Sequence, residues 1–384
     1  MSISNKTRPA STTSRHEIRK HMAHPMWNYG VISGATIILL VGGLYMVFSA
    51  SSVFSYQYFG NSYSLALRQA MFSVVGGLIA WKVSRMSVAS IRRWASWLML
   101  FSFLALVAVL VIGESVNGQK NWINLWGPFR FQPSEFAKLG VVLFGAHMMA
   151  RNVNHANDVK RMTMPLIPVF FIVLLLILGE GDLGTAMVIT PIMASTYFFV
   201  GAPKSWFVGL FSAAFTGIVG LSVAQPYRLQ RFYGWLHQNT DVEGINYQLW
   251  RGKYALGSGG IFGLGLGASK EKWGTLPEAH TDFIFAVLGE ETGLVGCVVV
   301  LVLFIVIIGT GVRVARQATD PFVRFASLGV CTWMATQMAT NIGGVLGLMP
   351  ITGVPLPLVS YGGSSLIPTL AALGMLMSFS RQET

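Results

Sequence analysis

Apolar stretches close to the roughly 20 residues that cross a bilayer recur along almost the whole chain, and in lipid such a sequence can satisfy its backbone only as helices or a closed barrel. Ten of these stretches are read as membrane-spanning helices: 29–51, 65–82, 94–113, 134–150, 164–178, 185–200, 206–223, 283–312, 322–348 and 364–379. Only 11% of the residues are charged and 53% are hydrophobic, whereas soluble domains carry about 25% charged residues. The expectation is therefore an all-α integral membrane protein, a polytopic bundle of about ten transmembrane helices. Its largest polar stretch, 224–281, is expected to be an extracellular loop between the seventh and eighth helices.

Lys and Arg mark every second connection: Lys82, Arg85, Arg92 and Arg93, then Arg151, Lys160 and Arg161, then Lys204, then Arg313, Arg316 and Arg324. Basic residues in short loops stay cytoplasmic, so both termini are expected inside. Residues 1–26, rich in Ser, Thr, Lys and Arg, are expected to be a disordered cytoplasmic tail ahead of a membrane domain over 27–380, with 381–384 a second short tail. The first span is too long for a signal-peptide core and is read as an uncleaved anchor. The formal charge of +12 is spread over these loops, which suits orientation and attraction to anionic lipid and argues against nucleic acid. Cys297 and Cys331 fall inside spans, where a small apolar thiol is the ordinary reading.

Titratable groups inside spans are costly, so each calls for a reason. FQPSEFAKLG places Glu135 and Lys138 at i and i+3 on one helical face, either as a self-neutralising pair or as part of a polar cavity. Pro133 suits a first helical turn, with Gln132 or Ser134 as cap. Asp182 sits in a tight turn between the fifth and sixth spans, and Arg68 and Gln69 enter the second. Residues 341–365 are crowded with Gly and Pro and contain Ser360, Tyr361 and Ser364; an irregular segment against a polar cavity is expected there.

The stretch LPEAHTDFIFAVLGEETG carries Glu278, His280 and Asp282 into the eighth span, with Glu290 and Glu291 two turns deeper. Asp282 can be read without function as a first-turn carboxylate capped by Thr281, but capping does not require the deeper acids, and Glu290 is expected to face protein interior. The loop before it supplies Arg228, Arg231, Arg251, Lys253, Lys270 and Lys272, cations suited to a pyrophosphate beside a protonatable carboxylate. Its glycines match neither a P-loop nor a dinucleotide fingerprint, so no nucleotide is expected.

Taken in order, MVFSAS, NGQKNWINLWGPFRFQPSEFAKL, GDLGTA, YRLQRF, ALGSGGIFGLGLG, LPEAHTDFIFAVLGEETG and PITGVPLPLVSYGGSSL resemble the signature segments of the SEDS family, the shape, elongation, division and sporulation proteins. The resemblance spans the chain from first span to last and lies closer to the division branch than to the elongation branch. It departs at Gln119, Lys120 and Asn121, and at Gly181 where the family commonly has proline. It implies a peptidoglycan glycosyltransferase of the bacterial cytoplasmic membrane that polymerises lipid II on the outer face, in septal synthesis. The family's essential outer-loop aspartate falls on Asp282, and its fourth-helix Glu and Lys on Glu135 and Lys138. Lys272, Arg228, Arg231, Glu290, Ser360, Tyr361 and Ser364 complete the expected substrate cavity. A divalent cation, magnesium or manganese, held by Asp282 is compatible with that chemistry. The partners implied are a class B penicillin-binding protein and other divisome membrane proteins.

Two other classes compete. A lipid flippase or transporter also uses intramembrane acids and Gly/Pro-broken segments, but would concentrate them at midplane and often shows internal repeats, which this sequence lacks. A non-catalytic scaffold would tolerate Asp282→Asn.

Overall fold

In a computed structural model the structure describes residues 25–116, 119–126, 129–153, 158–224 and 226–382. All but the last two residues of the expected amino-terminal tail, and residues 383 and 384, lie outside them. The helices run α1 (Pro25–Phe59), α2 (Ser64–Ser84), α3 (Val88–Ile112), α4 (Pro133–Arg151), α5 (Val159–Thr163), α6 (Leu166–Gly179) and α7 (Leu183–Phe198) in the first half. The second half contains α8 (Lys204–Ala224), α9 (Pro226–Leu236), α10 (Tyr247–Gly259), α11 (Ile284–Gln317), α12 (Pro321–Leu346) and α13 (Gly363–Gln382). Each of the ten apolar stretches falls on a helix. Five of these, α1, α2, α3, α11 and α13, are by themselves long and apolar enough to cross a membrane. Helices α6 and α7 are shorter, at 14 and 16 residues.

The connection between α3 and α4 forms a three-stranded antiparallel sheet of β1 (Glu114–Val116), β2 (Gln119–Trp126) and β3 (Phe129–Phe131). Glu114 pairs with Trp122, and Asn124 with Arg130. One sequence signal was present: Asn-Gly at 117–118 is a hairpin dipeptide. The stretch 224–281 is not one irregular loop, because it holds α9, α10 and a 3-10 turn (Glu271–Trp273).

The bundle is closed by its two chain ends. Helix α13 packs on α2 and α1, α4 on α3 and α12, and α11 on α1 and α12. Small residues set the closest approach: a Cβ at Gly374 would lie 2.6 Å from the Ala80 carbonyl oxygen, so α13 and α2 meet backbone to backbone. Gln69 of α2 then donates to the Ser360 carbonyl at 3.2 Å and accepts from Gly362 N–H at 3.2 Å, tying the second helix to the segment that precedes the last.

Helix α11 is broken at Gly293, whose φ of 70° and ψ of −168° are open essentially to glycine alone. The break removes the helical bonds from residues 294 and 295 back to 290 and 291. Backbone from the glycine-rich stretch after α10 replaces them: Leu264 and Gly265 N–H donate to the carbonyls of Glu290 and Glu291, at 2.9 and 3.1 Å. Leu294 and Val295 N–H donate to those of Gly260 and Ile261, at 2.9 and 3.2 Å. A polar backbone segment is thus threaded into a helix with these four groups of α11 re-paired, as the interior of a membrane protein demands.

Candidate active site

A cavity of about 610 Å³ opens at the end of the bundle opposite the basic connections, between the β-sheet, the turn before α11 and the irregular segment before α13. Asp282 lies in its wall, one residue before the N-cap Phe283 rather than inside the first turn of α11. Thr281 does not cap the helix; its hydroxyl donates to the Glu278 carboxylate at 2.6 Å. Two elements, α12 and the segment before α13, hold this turn by its backbone through three hydrogen bonds. Asn341 of α12 donates to the Asp282 carbonyl at 2.9 Å, Ser360 Oγ donates to the Thr281 carbonyl at 2.6 Å, and Tyr361 N–H donates to the His280 carbonyl at 3.0 Å. The carboxylate faces Gly353, where even a Cβ would stand 3.6 Å from Oδ2, so the chain leaves space beside it.

Burial pushes the Asp282 carboxyl up to about 7, with repulsion from Glu278 adding to the shift and attraction to Arg231 opposing it. Burial outweighs the nearby cation. His280 packs its ring 5.0 Å from Phe54 and 5.8 Å from Tyr361, and its desolvation lowers its pKa.

Of the residues expected in the cavity, Asp282, Arg231, Tyr361 and Ser364 line it. Ser364 Oγ accepts from Gln132 N–H at 2.8 Å, joining α13 to the start of α4. Ser360 does not line it, because its hydroxyl is used inside the scaffold, where it also accepts from Leu356 N–H at 2.8 Å. The Arg228 side chain lies outside the described residues. Arg130 of β3, Gln132, Gln248 and Glu278 line the cavity and were not in the expected set. Arg130 was hidden because nothing in the sequence of the α3–α4 connection says that it folds back to line the same cavity as Asp282.

The other expected cations and acids are elsewhere. Lys272 is buried 3.5 Å from Glu291 and donates to Ser49 Oγ at 3.2 Å and to the Gly267 carbonyl at 2.5 Å. Glu290 is fully buried and accepts from Ser269 Oγ at 2.5 Å and Lys270 N–H at 3.0 Å. Glu290, Glu291 and Lys272 therefore clamp the stretch 267–272 to α11 and do not reach the cavity.

Glu135 and Lys138 are also outside it: Lys138 Nζ lies 2.8 Å from both Glu135 oxygens and 2.9 Å from Gln337 Oε1, with the Trp333 ring centre 5.4 Å away. Gln337 in turn donates to the Pro355 carbonyl at 2.9 Å, and Pro355 does line the cavity. The pair is thereby joined to the cavity wall by a chain of hydrogen bonds through Gln337. Pro133 takes the first position of α4 as expected, but neither Gln132 nor Ser134 caps it. Both donate instead to Asp182, at 2.9 and 3.1 Å, and Asp182 caps α7 by accepting from Thr185 N–H at 2.9 Å.

The architecture defines a polytopic helical membrane protein with a half-buried acid facing cations across a cavity at one end. Comparison with known proteins makes the class specific. The FtsW/RodA/SpoVE family model, described as "Cell cycle protein", matches residues 31–384. Stage V sporulation protein E of Bacillus subtilis is 38% identical over 90% of this chain and 95% of its own length. A probable peptidoglycan glycosyltransferase FtsW of Mycobacterium tuberculosis is 36% identical over 98% of this chain and 72% of its own. Among solved structures, a chain from a peptidoglycan synthase complex superposes with a TM-score of 0.71 at 29% identity, covering 91% of this chain and 97% of that one. The rod shape determining protein RodA of Thermus thermophilus gives 0.67 at 28% identity, covering 92% and 97%. The chain belongs to the FtsW/RodA/SpoVE family.

Proposed function

We propose that this chain is a peptidoglycan glycosyltransferase that polymerises lipid II, with Asp282 as the base that takes the proton of the acceptor sugar's 4-hydroxyl while it attacks the donor's anomeric carbon. The observation that carries the reading is a half-buried carboxylate held near pKa 7 in the wall of a cavity that also presents Arg231 and Arg130. A base is most useful when its pKa lies near the working pH, and an ordinary aspartate at about 3.9 would be a poor one. The two guanidiniums suit the lipid pyrophosphate that leaves, whose developing charge they would neutralise. The lipid tails explain why the cavity belongs at the edge of a helical bundle.

Asp282 and Glu278 also suit a hard divalent cation such as magnesium, since two carboxylates close enough to repel one another and the Thr281 hydroxyl offer only oxygen. No third His, Cys, Asp or Glu joins them among the described residues, so water or substrate phosphate would complete the shell. Such an ion would supply charge neutralisation beside the pyrophosphate.

The septal role rests on the FtsW and sporulation relatives, with the elongation-type polymerase as the near alternative. The cavity end is taken as the outer face because Lys and Arg gather at the opposite end, which places both termini in the cytoplasm. A crosslinking class B penicillin-binding protein is the expected partner, in keeping with the synthase complex among the structural neighbours, together with other divisome membrane proteins. The test is lipid II polymerisation by purified protein with its cognate transpeptidase, comparing wild type with Asp282→Asn at equal folded amounts. Glycan from the wild type alone supports the reading. Lipid II transport across a bilayer without polymerisation by either protein would replace it with a flippase.

A further inference from the structure

A second cavity, of about 380 Å³, lies at the basic end of the bundle, between the carboxyl-terminal half of α11 and the amino-terminal half of α12. Its walls are apolar, formed by Ile308 and Val312 on one side and Leu328 and Ala335 on the other, and Arg316 and Arg324 stand at one end. From Ile308 to Arg316 the groove runs about 12 Å along α11, from the bilayer interior towards the turn that joins the two helices. Other arginines at this end are engaged within the protein: Arg85 lies 4.0 Å over the Trp81 ring, Arg92 donates to His147, and Arg381 lies 5.7 Å over the Tyr29 ring. The guanidiniums of Arg316 and Arg324 have no hydrogen-bond or ion-pair partner among the described residues. Both are exposed.

We infer that this groove binds one anionic glycerophospholipid, with an acyl chain between α11 and α12 and the headgroup phosphate on Arg316 and Arg324. A short apolar slot that ends in two unpaired cations at the depth of the headgroups matches an amphiphile of one negative charge. A transmembrane helix, roughly 10 Å across, would need a longer and wider face. Guanidinium binds phosphate through two parallel donors, and basic pockets between helices on the cytoplasmic side are where headgroups are recognised. The groove is at the opposite end of α11 from Asp282, so the site is separate from the cavity that holds the polymerisation chemistry.

The test is native mass spectrometry of the full chain released from nanodiscs of mixed palmitoyl-oleoyl phosphatidylglycerol and phosphatidylcholine. Wild type should retain one phosphatidylglycerol with a preference of about tenfold or more over phosphatidylcholine. Arg316→Gln with Arg324→Gln should abolish the preference, and Ala335→Trp, which fills the slot without changing charge, should abolish retention. Arg93→Gln with Arg151→Gln removes the same charge from the same end away from the groove and should leave both intact. Thermal unfolding in phosphatidylcholine shows which variants are folded, and the two independent ways of closing the site mean that one misfolded variant does not decide the matter. Equal retention of the two lipids by wild type overturns the inference. So does loss of preference in the Arg93/Arg151 variant as large as in the Arg316/Arg324 variant, which would mark diffuse attraction. Displacement of the bound lipid by equimolar undecaprenyl pyrophosphate would overturn it too, assigning the groove to substrate.

Discussion

Replacing Gly293 by alanine tests whether the threaded backbone in α11 supports the catalytic end. The new Cβ would land on backbone atoms of Gly263 and Ile261, and the conformation at φ 70°, ψ −168° costs an L-residue about 1–3 kcal/mol. The chain can relieve the strain by straightening α11, which restores its own bonds from 294 and 295 to 290 and 291 but expels the stretch 260–265. Four bonds between that stretch and α11 are then lost and two helical bonds regained, a net loss of two worth about 0.5–1.5 kcal/mol each. By either route, strain kept or bonds lost, the net destabilisation expected is about 1–3 kcal/mol, a sizeable part of a typical folding free energy. In detergent, thermal unfolding followed by tryptophan fluorescence should shift down by roughly 3–6 °C. Limited proteolysis should begin to cut within 260–268. Polymerisation should fall with it, because the stretch 267–272, clamped by Glu290 and Glu291, leads directly into the Asp282 turn. An unfolding temperature within about 2 °C of wild type, with unchanged proteolysis, would refute the account of the break as a built feature.

Further outcomes follow from the site. With its pKa near 7, Asp282 is about 3% ionised at pH 5.5, so polymerisation should fall roughly tenfold per unit below pH 6; a rate flat from pH 5.5 to 8 would contradict the assignment. Arg231→Gln removes an attraction and should move the midpoint up, whereas Glu278→Gln should move it down. The same raised pKa makes a contribution to stability that is complete below about 3.9 and lost as pH rises through 7, so Asp282→Asn should be at least as stable as wild type at pH 8 in thermal unfolding. Lys138→Met leaves Glu135 charged and buried and should cost about 3–5 kcal/mol, with Glu135→Gln in the same chain recovering much of it; equal stability of single and double variants would show that the pair is not coupled. Lys272→Gln should lower thermal stability more than Arg231→Gln, which gives up a 3.4 Å bond to the Ile351 carbonyl, while Arg231→Gln should lower kcat/KM at least tenfold, which separates the clamp from the cavity.

The helical bundle was legible because apolar length is a strong signal, and Asp282 stood out because a carboxylate at the mouth of a span demands a reason. The partners of these groups were not legible. Lys272 and Arg231 are equivalent cations in sequence, and only the threaded backbone decides that Lys272 is consumed by Glu291 while Arg231 faces Asp282. Arg130 was missed because its place depends on a sheet whose register folds it back beside residues more than a hundred positions later. Of the two readings open for Glu135 and Lys138, the structure has the local pair and not the cavity lining, and its link to Pro355 through Gln337 needed the fold of α12.

The closure of α13 onto α2 and α1 has a consequence for how the protein is made. Helices leave the ribosome and enter the membrane in order, yet the second one, which has only α1 beside it at first, finds its main partner when the last arrives, nearly 300 residues later. Until then Gln69 and the small-residue face around Ala80 stand without their contacts in lipid. Biogenesis of this enzyme therefore ends in a single late docking event, and a nascent chain arrested before residue 363 is a substrate for membrane quality control and not a shortened catalyst.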